Sequence, residues 1–155
     1  MNMDNMIYDF KTHSLYYDTK NTNIPNFSLA IDTLELVFEL QTGRLVRIQG
    51  FFPIIKAITC SINLPAWDAK DYVLQNTDLS IYRQNEVYDM IQKIPQIKKY
   101  FEKMQVKYDK DNGIIQIGSE MQKGEVGMKI SNNILCGLDS NSDLKCLYII
   151  PTKFV

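Results

Sequence analysis

At 155 residues, with 45% apolar, 11% aromatic and 23% charged side chains, the chain has the composition of a folded domain rather than a disordered segment. It is long enough to bury a sizeable core without a staple. A formal net charge of −1 gives no global attraction to nucleic acid or to an anionic membrane, and no stretch approaches the roughly 18 uninterrupted apolar residues of a membrane span.

Residues 1–11 have no basic region followed by an apolar run, so no signal peptide is expected. Residues 7–10 and 15–17 flank what reads as a turn carrying His13, the only histidine. Residues 18–27, with Asn21, Thr22, Asn23, Pro25 and Asn26, have loop composition. The clearest element follows. Leu34, Leu36, Phe38 and Leu40 alternate with Glu35, Val37 and Glu39, Gln41-Thr42-Gly43-Arg44 makes a turn, and Val46 and Ile48 resume the alternation. Period-two patterning on both sides of a short Gly-containing turn predicts a hairpin over about residues 34–49, with Leu34, Leu36, Phe38, Val46 and Ile48 in the core.

Residues 51–64 carry conflicting signals. Pro53 could open a helix, whereas Ile54, Ile55, Ile58, Thr59 and Ile62 are β-branched and favour strand. Residues 65–76 read as an exposed connection containing Trp67, the only tryptophan. The period then changes: Val87, Met90, Ile91 and Ile94 recur at helical spacing, and Pro95 can end one helix and open a second whose stripe is Ile97, Tyr100, Phe101 and Met104. A broken helical pair is predicted over about residues 85–105. Asn112-Gly113 marks a second hairpin at about 106–117, and Asp139-Ser140-Asn141-Ser142-Asp143 a third at about 134–150, with residues 126–131 a possible additional strand. The expected fold is thus a single α+β domain over residues 1–155, with a mainly antiparallel sheet built from three hairpins.

Candidate chemistry is sparse. A lone histidine rules out a multi-histidine metal site, and His13 is expected to be a solvated turn residue. Cys60, Cys136 and Cys146 make an odd number without C-x-x-C spacing, which suits small buried thiols in the cytoplasm rather than a secreted disulfide framework. Asp109, Asp111 and Glu120 fall at the first, third and twelfth positions of a calcium-loop template, and Asp139, Asn141 and Asp143 at the first, third and fifth. Ile114 and Leu144 stand where that loop requires glycine, so ordinary turn chemistry is expected and no metal. No phosphate-loop, dinucleotide, nucleophile-elbow or zinc-protease motif occurs, so no catalytic residue and no cofactor is assigned. Lys93, Lys98, Lys99, Lys103, Lys107 and Lys110 cluster around Tyr100 and Phe101, but the aromatic pair lies in the apolar stripe, so a solvated helix face is expected and no nucleic acid.

Trp67, Asp68, Asp71 and Tyr72 place two aromatics among carboxylates in a connection, which is the composition of a protein-binding patch. Residues 1–90 hold 11 acidic and 7 basic side chains, residues 91–155 7 acidic and 10 basic. The acidic front suits a basic partner. The expectation is a non-catalytic protein-binding protein, an inhibitor or immunity-type protein that neutralises a toxin or enzyme. The alternative is a small-molecule-binding domain or divergent enzyme with a pocket between sheet and helices.

Overall fold

The computed structural model describes residues 5–18, 24–75 and 77–155. The alternation at residues 34–40 has the outcome its period requires: Leu34, Leu36 and Phe38 of β4 (Leu34–Glu39) are fully buried. Across the turn the expectation needs one correction. In β5 (Leu45–Phe51), Val37 pairs with Arg47 but Phe38 pairs with Leu45, so Val46 is the extra residue of a β-bulge. A bulge shifts the inward parity of the strand by one, so Leu45 fills the core and Val46 is only half buried.

Two hairpins open the two halves of the chain in the same way. β1 (Met6–Asp9) pairs with β2 (Ser14–Tyr17), and β9 (Val106–Asp109) pairs with β10 (Ile114–Gly118). Each turn begins with Tyr-Asp and ends on a residue with positive φ, His13 at 55° and Gly113 at 65°. Asp9 accepts from the backbone N–H of Lys11 and Thr12, and Asp109 from that of Asn112. A short carboxylate satisfying the amides that follow it is the physical reason for aspartate at this corner.

Each hairpin leads into a three-strand meander: β3 (Asn26–Ile31), β4 and β5 in the first half, and β11 (Gly127–Ser131), β12 (Ile134–Leu138) and β13 (Leu144–Ile149) in the second. The connection between the halves adds β6 (Ile58–Thr59), β7 (Trp67–Ala69) and β8 (Val87–Asp89), and the C-terminus adds β14 (Lys153–Phe154). The result is two seven-stranded mixed sheets, in the orders β14-β1-β2-β5-β4-β3-β8 and β6-β9-β10-β13-β12-β11-β7. The two orders are equivalent, and all four edge strands pair in parallel. Side chains repeat the equivalence one hundred residues apart. Thr33 Oγ1 donates to the carbonyl of Phe51, and Asn133 Nδ2 donates to that of Ile150 at 2.7 Å.

The architecture is therefore not one sheet built from three hairpins. The turns expected near residues 41–44, 109–113 and 139–143 do join paired antiparallel strands, but as parts of two larger sheets. Helix is shorter than the periodicity suggested. Residues 87–89 are strand, and only α1 (Met90–Lys93) and α2 (Lys98–Phe101) are α-helical, joined by a 3-10 turn at Pro95–Ile97. Asp89 caps α1 by accepting from Ile91 and Gln92, and no apolar stripe precedes it because β8 instead extends the first sheet. Residues 51–64 resolve mostly into irregular chain around β6. Of the expected loop at residues 18–27, residues 19–23 lie outside the described residues, and Asn26 and Phe27 already belong to β3.

The core lies between the sheets. One continuous cluster joins Phe27, Leu36, Phe38 and Ile48 of the first with Ile115, Ile117, Leu147 and Ile149 of the second, closed by Ile97 and Phe101. Phe38 stacks on Phe27 at 5.7 Å between ring centroids, and Phe27 on Tyr82 at 4.3 Å. Phe38→Ala is expected to lower unfolding free energy by about 3–5 kcal/mol in denaturant titration, the range for a fully buried aromatic; a loss below about 1 kcal/mol would contradict this packing.

Candidate functional site

Strand β7 places the aromatic of the expected patch. Trp67 pairs in register with Gly127 and Ala69 with Lys129, so Trp67 and Lys129 lie on the same, outer face of the second sheet. The Lys129 ammonium sits 4.4 Å from the Trp67 ring centroid, which steadies the ring over its lower face. The ring remains 45% exposed. All three residues of β7 are exposed, and β7 is the terminal strand, so its outer main-chain edge faces no other strand among the described residues. Asp68, which alternation turns to the other face of β7, and Asp71, beyond the strand, are also exposed, with Asp71 4.0 Å from the Arg44 guanidinium. Tyr72 does not join them. It is 4% exposed and packs on Phe38, because Leu45 and Leu74 bond to the main chain on either side and draw residues 72–74 onto the first sheet. The candidate patch is therefore Trp67, Asp68 and Asp71.

From Trp67 a row of small residues runs inward across the sheet: Trp67 is opposite Gly127, Gly127 opposite Gly137, Gly137 opposite Cys146, and Cys146 opposite Gly118. The row is a trench, and the chain fills it with its own segment. Residues 119–126 cross the outer face as a strap, and a side chain at Gly137 would collide with Met121 and Cys146. The glycine is needed because Met121 lies where its Cβ would be. Beneath the strap, Ile62, Ile114, Leu135, Cys146 and Tyr148 form a second, smaller apolar cluster. The glycines at 118, 127 and 137 were visible in the sequence, but only strand register brings them into line.

The strap is held mainly by charge. Glu120 pairs with Lys107, and Glu125 with Lys145 at 2.9 Å. The Lys107 bond holds the Glu120 carboxyl below the usual range; the backbone N–H of Gln122, then Lys145, does the same for Glu125. Cavities of about 520 and 640 Å³ lie on the two sides of the strap, the first against residues 60–66 and the second against α2, and both are lined by Lys107, Glu120, Met121 and Gln122. Near the second, Tyr100 donates to Asp139 at 2.6 Å. Burial, then this bond, pushes the Tyr100 hydroxyl up to about 12. Burial disfavours charge on Asp139, but the bonds from Tyr100 and from the amides of Asp143 and Asn141 outweigh it and lower its pKa. Asp139 thus serves a turn, as Asp109 does: the Asp109 carboxylate accepts from Asn112 Nδ2 and from the amide of Ile62, which keeps it ionised and ties residues 60–64 to the sheet.

The remaining candidates are accounted for locally. His13 occupies the positive-φ corner with its ring edge-on to Phe51 at 6.3 Å, and its carbonyl accepts from Phe52. Cys136 and Cys146 are buried on opposite faces of the second sheet, one in each apolar cluster, and Cys60 is half buried. Among the described residues no three His, Cys, Asp or Glu side chains are grouped so as to hold a metal ion, and no helix is long and apolar enough to cross a membrane. Compared with known proteins, the sequence matches no family model and no curated protein.

Two outcomes follow from this geometry. Burial pushes the Cys146 thiol up to about 12 and that of Cys136 higher, so an aromatic disulfide reagent at pH 8 is expected to titrate at most one thiol, Cys60, in the native protein and three in denaturant. The Asp109 carboxyl is lowered on folding, so its contribution to stability is complete above about pH 4 and lost as pH falls through its folded value. Asp109→Asn is expected to flatten that part of the thermal midpoint against pH curve; an unchanged slope would refute the assignment.

Proposed function

We propose that the protein acts by stoichiometric, non-catalytic binding of another protein, as an inhibitor or immunity-type protein that neutralises a toxin or enzyme. The observation that carries this reading is the exposed edge strand β7, where Trp67 stands clear of the core and the exposed carboxylates Asp68 and Asp71 lie in the same segment. A large aromatic fixed by a cation–π contact loses little side-chain freedom on binding, which is what an interface anchor requires. The surrounding carboxylates, with the acidic excess of residues 1–90, favour a basic partner and would speed its association more than tighten it. Trp67 and Asp68 are carried on a strand paired to the sheet rather than on a free loop.

Trp67→Ala is expected to weaken partner binding by about 2 kcal/mol or more while changing folding stability little, because the ring is not in the core. Charge reversal at Asp68 and Asp71 should slow association and change its dependence on salt, read by stopped flow or surface plasmon resonance against the partner captured from the native host. Normal binding by all three variants would remove the patch. Turnover of a substrate by the purified protein alone would remove the reading itself.

A further inference from the structure

The second cavity has a chemical character that protein binding at β7 does not use. Its charged lining comes from three elements: Lys99 of α2 with Glu102 and Lys103 just beyond it, Lys107 of β9 with Glu120 of the strap across from it, and Lys145 of β13. Four ammonium groups and two carboxylates line the cavity, and a third carboxylate, Glu125, pairs with Lys145 at its wall, which leaves one positive charge in excess in a chain whose overall charge is −1. Glu102 is engaged outward by Lys98 at 3.6 Å, and Glu120 by Lys107. Lys99 and Lys103 make no ion pair within 4 Å among the described residues, although the Lys99 ammonium lies 5.1 Å over the Tyr100 ring and favours the charge on Asp139. Lys145, whose side chain is 6% exposed, is held at the cavity wall by Glu125 and by the face of Tyr100 at 5.8 Å. Nearly buried ammonium groups are costly unless neutralised, and here the neutralising carboxylates both sit on one strap.

We infer that this cavity binds a small polyanion, a molecule with two or more phosphate or carboxylate groups, and that Glu120 of the strap is its internal competitor for Lys107. The cavity volume of about 640 Å³ lies in the range of pockets for small ligands. Lys99 and Lys103, one turn apart, would meet one anionic group, and Lys107, released from Glu120, a second. Glu120 is 73% exposed, so it can swing into water when displaced, whereas Lys145 and Glu125 stay paired as a fixed wall. The site is separate from the β7 edge: four strand spacings divide Trp67 from Gly118, about 19 Å. It does not depend on the reading given for that edge.

The test is calorimetric titration with tripolyphosphate and with citrate at about 0.15 M ionic strength, where nonspecific attraction is screened beyond about 8 Å. Saturable one-to-one binding of either probe is expected, tripolyphosphate alone indicating phosphoryl ligands and citrate alone carboxylates. Lys103→Gln and Lys107→Gln should each weaken it by about threefold to tenfold, the loss of one charge-assisted contact at a part-exposed site, while Lys70→Gln, just past β7 at the opposite edge of the second sheet, should change it less than about twofold. Glu120→Gln should tighten binding, and Glu86→Gln, the same charge change elsewhere, should not. Thermal midpoints of these surface variants verify folding. Absence of binding by both probes overturns the site, as does binding of only an oligonucleotide or an acidic polypeptide. Equal effects of Lys70 and Lys103, or of Glu86 and Glu120, overturn it as well.

Discussion

Exchange of edge strands is the constraint on which the rest of the structure depends. β6 and β7 leave the first half of the chain to cover β9 and β11 of the second sheet, and β14 returns from the C-terminus to cover β1 of the first. An open edge is a row of unpaired backbone groups, and terminal strands of two or three residues leave a shorter row than the strands they cover. Here each sheet's edges are supplied by chain from beyond its own hairpin and meander. The aromatic cluster of Tyr8, Phe10, Tyr108 and Phe154 marks where the exchange is sealed: Phe154 stacks on Phe10 at 5.8 Å and approaches Tyr108 at 5.7 Å. These contacts join strands far apart in sequence, and Tyr108 ties the cluster to the second sheet.

The halves obey one set of local rules a hundred residues apart and differ where the rules leave freedom. Tyr8-Asp9 and Tyr108-Asp109 start the same turn, and Thr33 and Asn133 tie the meander to the strand that follows it. Asparagine and threonine are chemically unlike but both present a donor at that distance, so a comparison of residue identities overlooks the match. The outer faces diverge most. The second sheet carries its glycine row and strap, whereas the corresponding strand of the first has Val37 against Arg47.

Local alternation and turn chemistry made much of the fold legible, and long-range pairing did not. Leu34, Leu36 and Phe38 declared an inward face, and Asn112-Gly113 a tight turn, because both signals reside in adjacent residues. Val46 was misplaced by one position because a bulge is set by the partner strand opposite it. The helical reading of Val87 failed because a parallel pairing with Ser28, 59 residues away, outweighs a weak local period. Parallel edges of two or three residues leave no periodic mark, so β6 and β14 were invisible. At the site, the segment read as a loop contains strand β7; Trp67, Asp68 and Asp71 are exposed there, but Tyr72, one residue on, is drawn inward by hydrogen bonds to β5. The lysines of the second cavity looked like one helix face. Three of them do come from the 98–110 stretch, but Lys145 and the two strap carboxylates come from beyond it.

The second sheet's outer face combines two properties that pull against each other. Binding surfaces need rigid anchors, and ligand exchange needs a part that opens at low cost. Trp67 is fixed to a paired strand. The strap has few main-chain bonds, among them Ser119 to Lys145 and Glu125 to Gln122, and its other attachments are ion pairs and one methionine over a glycine. The Lys107–Glu120 pair has an exposed carboxylate and contributes little to stability, whereas Lys145 and Glu125 are mostly buried, so the strap is held more firmly at Glu125 than at Glu120. Gly124, at φ 90° with nothing within 4 Å of where a Cβ would stand, gives the strap a bend in open space. Opening there would expose Met121 and the apolar cluster below it, which sets a limit: the strap has to remain closed most of the time, and the Glu120 and Glu125 pairs are the interactions that keep it so. An anion that takes Lys107 from Glu120 removes one of the two, and Lys145 with Glu125 then carries the strap alone.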